Sequence, residues 1–81
     1  MLAAAGEARR AAPVAHPAGL TDREVEVLRL IARGRANKQV ASVLRISAKT
    51  VGRHIEHIYA KAGVSTRAGA TLFAMENGLL S

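Results

Sequence analysis

The chain has 81 residues and no cysteine, which fits one small domain without a disulfide framework or a thiolate metal site. Twelve Lys and Arg oppose six Asp and Glu, and the resulting formal charge of +6 favours an anionic partner such as nucleic acid. The apolar runs are too short to cross a bilayer, and the N-terminus is a poor signal peptide, so we expect a cytoplasmic protein without a membrane partner.

The first 19 residues hold both prolines, Pro13 and Pro17, and many alanines. This composition predicts a largely disordered arm over residues 1–19, followed by one domain over residues 20–81. The domain contains only two aromatic residues, Tyr59 and Phe73. Because single strands and RNA are usually bound by stacking of bases on several exposed rings, this scarcity favours double-stranded DNA.

Four helices are predicted in the domain, giving an all-α fold: a four-helix bundle with a central helix-turn-helix. The first opens at a Thr21–Glu24 capping box and stops at Gly34. The second, about 38–44, should follow Asn37 as its N-cap, and the third, about 48–62, follows Ser47. The fourth runs from about Thr66 to Asn77. The turn between the second and third helices has two or three residues, which is helix-turn-helix spacing.

The third helix separates into two faces at about 100° per residue. One arc is apolar and predicts a contact with the core: Val51, Ile55, Ile58 and Ala62. The opposite arc contains Lys49, Arg53, Glu56 and Ala60, with Gly52 and His57 on its flanks. A helix held by one stripe, with polar residues opposite, can lie in a DNA major groove.

These elements resemble the LuxR-type helix-turn-helix family of bacterial transcription regulators over residues 20–80. The matching residues are Leu20-Thr21, Arg23-Glu24, Val27-Leu28, Gly34, Asn37-Lys38, Val40-Ala41, Leu44, Ser47, Lys49-Thr50-Val51, His54, Ile58, Lys61, Val64-Ser65, Arg67 and Gly78-Leu79. The resemblance implies sequence-specific binding of double-stranded DNA by a dimer on a pseudo-palindromic operator, and recruitment or blocking of RNA polymerase.

The resemblance also implies roles for individual residues. Base edges would be read by Gly52, Arg53 and Glu56, although many relatives have Lys or Arg where this chain has Gly52 and Glu56. Phosphates or the groove rim would be met by Asn37, Lys38, Lys49 and Thr50. To these we add Ser47, His54 and His57, although His54 could instead pack at the edge of the core and His57 could remain in solvent. We expect Arg53 to contact guanine. Glu56 could accept a bond from a cytosine amino group or orient Arg53; equally, it could pair with Arg53 or Lys61 in solvent.

The fourth helix is apolar nearly all round, so one face should remain after the core is covered. The resemblance implies a weak homodimer through this helix, for which we select Leu72 and Met75, leaving Ala70, Phe73 and Ala74 for the core. In the alternative, Leu72 and Met75 complete the core of a monomer.

Other functional classes find less support in the sequence. His54 and His57 are spaced like metal ligands but lack a third, so we predict no metal site, and we see no catalytic arrangement and no cofactor motif. Two other functions remain open. One is a promoter-recognition domain like that of a sigma factor, and the other is a basic module that binds an acidic protein.

Overall fold

A computed structural model describes residues 15–80, which contain four α-helices and no strand. The helices are α1 (Asp22–Ala32), α2 (Asn37–Leu44), α3 (Ala48–Ala62) and α4 (Arg67–Glu76). The predicted all-α fold is therefore confirmed. Most of the predicted disordered arm, residues 1–14, lies outside the described residues, whereas Pro17–Gly19 form a 3-10 turn before α1. Within residues 15–80, none of the helices has the length and apolar character needed to cross a membrane.

Local hydrogen bonds begin α1 and α3 where the sequence predicts. At the start of α1, the Thr21 hydroxyl accepts from the Glu24 N–H at 3.1 Å, and the Glu24 carboxylate accepts from the Thr21 N–H at 2.9 Å. At the start of α3, the Ser47 hydroxyl accepts from the Thr50 N–H at 3.0 Å. Gly63 ends α3 with φ 71°, a left-handed conformation that glycine adopts without steric cost.

The predicted N-cap of α2 is wrong by one residue. Ala36 occupies the cap position, and Asn37 is the first helical residue. The side chain of Gln39 accepts from the Ala36 N–H at 2.8 Å and so satisfies an amide at this helix start from inside the helix. The Asn37 side chain consequently takes no part in capping.

The turn between α2 and α3 is closed by Arg45 in place of the usual glycine. Arg45 has φ 59° and ψ 44°, and the following Ile46 N–H donates to the Ala41 carbonyl at 3.0 Å. A left-handed conformation costs a non-glycine residue about 1–2 kcal/mol. The helix-turn-helix thus forms with the predicted short turn, despite this strain.

The core is built mainly around α1, which packs against the other three helices. Val27, Leu28 and Ile31 of α1 are fully buried. From α4, Ala70 and Ala74 are fully buried, and Phe73 packs against the core while partly exposed.

By contrast, Leu72 and Met75 of α4 are 54% and 61% exposed. The alternative in which these two side chains complete a monomer core is therefore wrong.

Candidate nucleic-acid interface

The polar face of α3 points away from the core. Lys49, Arg53 and Glu56 are exposed, while Val51, Ile55 and Ile58 on the other side of the helix are buried. The division into two faces predicted from helical periodicity is confirmed. The apolar stripe anchors α3 to the body, so that its polar face is accessible along the length of the helix.

Gly52 lies beside this polar face and has no intramolecular reason to be glycine. A Cβ atom built on Gly52 would find nothing within 4 Å, and its φ is not in the left-handed region. Glycine in a helix interior costs about 0.5–1 kcal/mol relative to alanine. The fold itself therefore gains nothing from the missing side chain.

The side chains of Arg53 and Glu56 form no ion pair or hydrogen bond within residues 15–80. Lys61, the other partner considered for Glu56, instead donates to the Glu24 carboxylate at 2.8 Å. The intramolecular pairs considered for Glu56 are thus not formed, and both side chains remain available to an external partner.

Positive charge without an intramolecular partner concentrates in the helix-turn-helix. Within the described part of the chain, the Lys and Arg side chains between residues 33 and 53 form no ion pair or hydrogen bond: Arg33, Arg35, Lys38, Arg45, Lys49 and Arg53. Three acidic residues, Asp22, Glu24 and Glu26, lie instead at the start of α1. This distribution places an anion-attracting surface on the segment that contains α2 and the first half of α3.

Glu24 organises a partly buried contact between α1 and the second half of α3. Its side chain is only 5% exposed, and its carboxylate lies 3.7 Å from the His57 ring as well as 2.8 Å from Lys61 Nζ. Burial alone would raise the pKa of Glu24, but the bonds from Lys61 and Thr21 outweigh it, and the pKa lies below its ordinary value. Lys61 also donates to the Gly19 carbonyl at 3.3 Å, which ties the segment before α1 to α3.

The remaining predicted contact residues occupy two places. Ser47 and Thr50 lie at the start of α3, where their hydroxyl oxygens are 2.9 Å apart. His54 is half-buried, and the exposed His57 stands next to Glu24 at the start of α1.

An interaction that the sequence reasoning missed joins Arg67 to the start of α2. Arg67 donates to the Arg35 carbonyl at 3.1 Å and to the Asn37 side-chain oxygen at 2.9 Å. One signal could have pointed to it: Arg67 is the first residue of α4, where the helix dipole disfavours a positive charge. An arginine at such a position suggests that another interaction holds it there.

The sequence matches the family described as "Bacterial regulatory proteins, luxR family" over residues 18–74. The chain belongs to this family. It is accordingly a DNA-binding helix-turn-helix domain of the kind used in transcriptional regulation, and the resemblance drawn from the sequence is confirmed.

Individual relatives of this LuxR-family domain agree with the assignment. It is 41% identical over 61 residues to the response regulator protein VraR of Staphylococcus aureus (strain Mu3 / ATCC 700698), covering 75% of this chain and 29% of that protein. The structure of the transcription factor GerE matches with a TM-score of 0.71 and 42% identity, over 76% of this chain and 92% of that one.

The response regulator ChrA, from a heme-sensing two-component system, also has a TM-score of 0.71, with 38% identity over 95% of this chain and 37% of its own. The chain thus spans less than a third of VraR and little more than a third of ChrA.

Proposed function

We propose that this LuxR-family domain binds a pseudo-palindromic operator as a dimer, with α3 lying in the major groove of each half-site. The observation that carries the proposal is the exposed, unpaired row of Lys49, Arg53 and Glu56 opposite a buried apolar stripe. An α-helix fits the width of the major groove, and donors and acceptors projecting from one helix face can read base edges there.

Base readout is assigned to Gly52, Arg53 and Glu56. Arg53 donates to guanine, and Glu56 accepts from the amino group of cytosine. With a rise of about 1.5 Å per residue, the Arg53 and Glu56 backbones are about 4.5 Å apart along the helix, against about 3.4 Å between adjacent base pairs, so the two side chains can reach different base pairs. Gly52 lets the α3 backbone approach the groove floor.

The phosphate contacts are assigned to side chains around this reading face, and they fix its register on the duplex. They comprise Asn37, Lys38, Ser47, Lys49, Thr50, His54 and His57. His57 can serve in this way only at the edge of the interface, because its ring lies beside Glu24.

The exposed apolar side chains Leu72 and Met75 of α4 form the dimer contact in this proposal. One short helix buries little area, so the dimer is weak without DNA, and the two half-sites stabilise it. The parent protein is a longer cytoplasmic regulator, in which a signalling domain precedes this domain and the DNA-bound dimer acts on RNA polymerase. The greater lengths of VraR and ChrA support a longer parent protein.

The test is a titration of Arg53→Ala and Lys49→Ala on the duplex that the wild-type chain enriches from a random pool. Arg53→Ala should lose about 1–3 kcal/mol of binding free energy and relax preference at one base pair. Lys49→Ala should weaken all sequences alike and reduce the slope of log K against log salt by about 1. Uniform weakening by Arg53→Ala would show that Arg53 contacts phosphate. A flat salt dependence of the wild type would favour an acidic protein partner instead.

A further inference from the structure

The Arg67 guanidinium bridges two helices that do not otherwise pack together. No packing contact joins α2 and α4. Yet Arg67 Nη1 donates to the Arg35 carbonyl at 3.1 Å, and Nη2 donates to Asn37 Oδ1 at 2.9 Å. This one side chain therefore links the start of α4 to the loop before α2 and to the first residue of α2.

The chemistry of arginine fixes the orientation of the Asn37 side chain. A guanidinium only donates hydrogen bonds, so the Asn37 atom facing it must be the carbonyl oxygen. The amide nitrogen lies at the other end of the planar group, where it has no partner within residues 15–80. Asn37 is half-buried and the neighbouring Lys38 is exposed, so two N–H donors and an ammonium group occur together at the start of α2.

We propose that Arg67 is a positioning residue for DNA binding, which holds Asn37 so that its amide nitrogen donates to a phosphate of the duplex. The inference rests on the proposed function, because it gives an atomic role to one of the phosphate contacts named there. If Arg67 were absent, the amide could rotate by half a turn and present its oxygen to the phosphate, where two acceptors repel. Arg67 itself need not touch DNA.

The decisive variant is Asn37→Asp, which keeps the acceptor facing Arg67 and removes the donor proposed to face the phosphate. One carboxylate oxygen still accepts from Arg67, while the other replaces the donor with a negatively charged acceptor. We expect a melting temperature equal to or above that of the wild type, because the bond to Arg67 becomes an ion pair at a helix N-terminus. Affinity for the selected duplex should fall roughly tenfold or more.

Gln39→Glu is the matched control, because it adds the same charge in the same helical turn. Glutamate can still accept from the Ala36 N–H, as Gln39 does at 2.8 Å. Its affinity should fall clearly less than that of Asn37→Asp. Equal losses in the two variants would mean that only the added charge matters, and would overturn the inference.

A double-mutant cycle tests whether Arg67 acts through Asn37. Arg67→Met should weaken DNA binding in the wild-type chain and have little further effect in the Asn37→Ala background; additive losses in affinity would overturn the inference. Arg67→Lys keeps the charge without the two-pronged geometry, so its loss should be close to that of Arg67→Met. Arg23→Ala, which removes a charge on α1, controls for net charge, and a loss as large as that of Arg67→Met would count against a positioning role.

The proposed function and this inference fail differently. If the wild-type chain does not bind duplex DNA at low salt, both are overturned. If the wild type binds and depends on Arg53 as proposed, while Asn37→Asp behaves like Gln39→Glu, only the positioning role is overturned.

Discussion

Substitution of Gly52 by alanine should stabilise the protein and weaken its binding to DNA. The added methyl group meets nothing within 4 Å, so no clash offsets the gain in helix propensity. The free energy of unfolding should therefore rise by the full difference between glycine and alanine, about 0.5–1 kcal/mol. For a domain of this size, that corresponds to an increase in melting temperature of about 2–8 °C.

DNA affinity should change in the opposite direction. If the α3 backbone approaches a base edge at Gly52, a methyl group there pushes the helix outward and disturbs the contacts of Arg53 and Glu56. Loss of one well-formed base contact costs about 1–3 kcal/mol, so we expect affinity to fall by a factor of about 5–150. The slope of binding against salt should stay nearly unchanged, because no charge is removed.

The assay is thermal denaturation followed by circular dichroism, together with fluorescence anisotropy on the selected duplex. Gly69→Ala is the matched control within a helix: its Cβ would lie 3.2 Å from Thr66 Oγ1 and 3.3 Å from Val64 Cβ, so it should gain no stability. A Gly52→Ala protein that is more stable and binds DNA with wild-type affinity would refute the close approach of Gly52. A less stable one would refute the open space around it.

Two further predictions concern stability and assembly. Because the pKa of Glu24 is lowered in the folded chain, the unfolded chain takes up its proton first as the pH falls below the ordinary value of 4.5, and stability declines there. Glu24→Gln can still form the capping box, and its melting temperature should fall less between neutral and acid pH than that of the wild type. The control is the same change at the exposed Glu76. Equal acid sensitivity in the wild type and Glu24→Gln would argue against the prediction. Leu72→Glu combined with Met75→Glu should abolish self-association in sedimentation experiments while altering the free energy of unfolding by no more than about 0.5 kcal/mol. Val43→Glu, at a residue 58% exposed on α2, should leave self-association intact. If this variant also lost self-association, the assignment of the dimer contact to α4 would be refuted.

The parts of the fold that could be predicted from sequence are those fixed by neighbouring residues. Thr21 with Glu24 at the start of α1, and Ser47 at the start of α3, act within one turn of helix, so their spacing is visible in the chain. Periodicity likewise separates Arg53 from Ile55. The wrong N-cap predicted for α2 also concerns neighbouring residues. Gln39, which accepts from the Ala36 N–H, indicates the correct start of the helix, but Asn37 is selected because asparagine is the stronger N-cap residue by type.

The contacts that could not be predicted join residues distant in the chain. Lys61 reaches Glu24 across 37 positions, and Arg67 reaches Asn37 across 30. Both are polar contacts between side chains on separate helices, and neither helical periodicity nor capping rules relate such residues. They follow only from the packing of the four helices, which sets the distances between their surfaces.

The separation of charge along the domain bears on how quickly it finds its target. Acidic groups at the start of α1 and unmatched basic groups from Arg33 to Arg53 give the body an electrical polarity. In the field of a DNA duplex such a body experiences a torque, which turns α2 and α3 toward the polyanion before contact. A larger fraction of its random collisions with DNA thus begins with α3 facing the duplex. This gain in the rate of association decreases when salt shortens the range of the field.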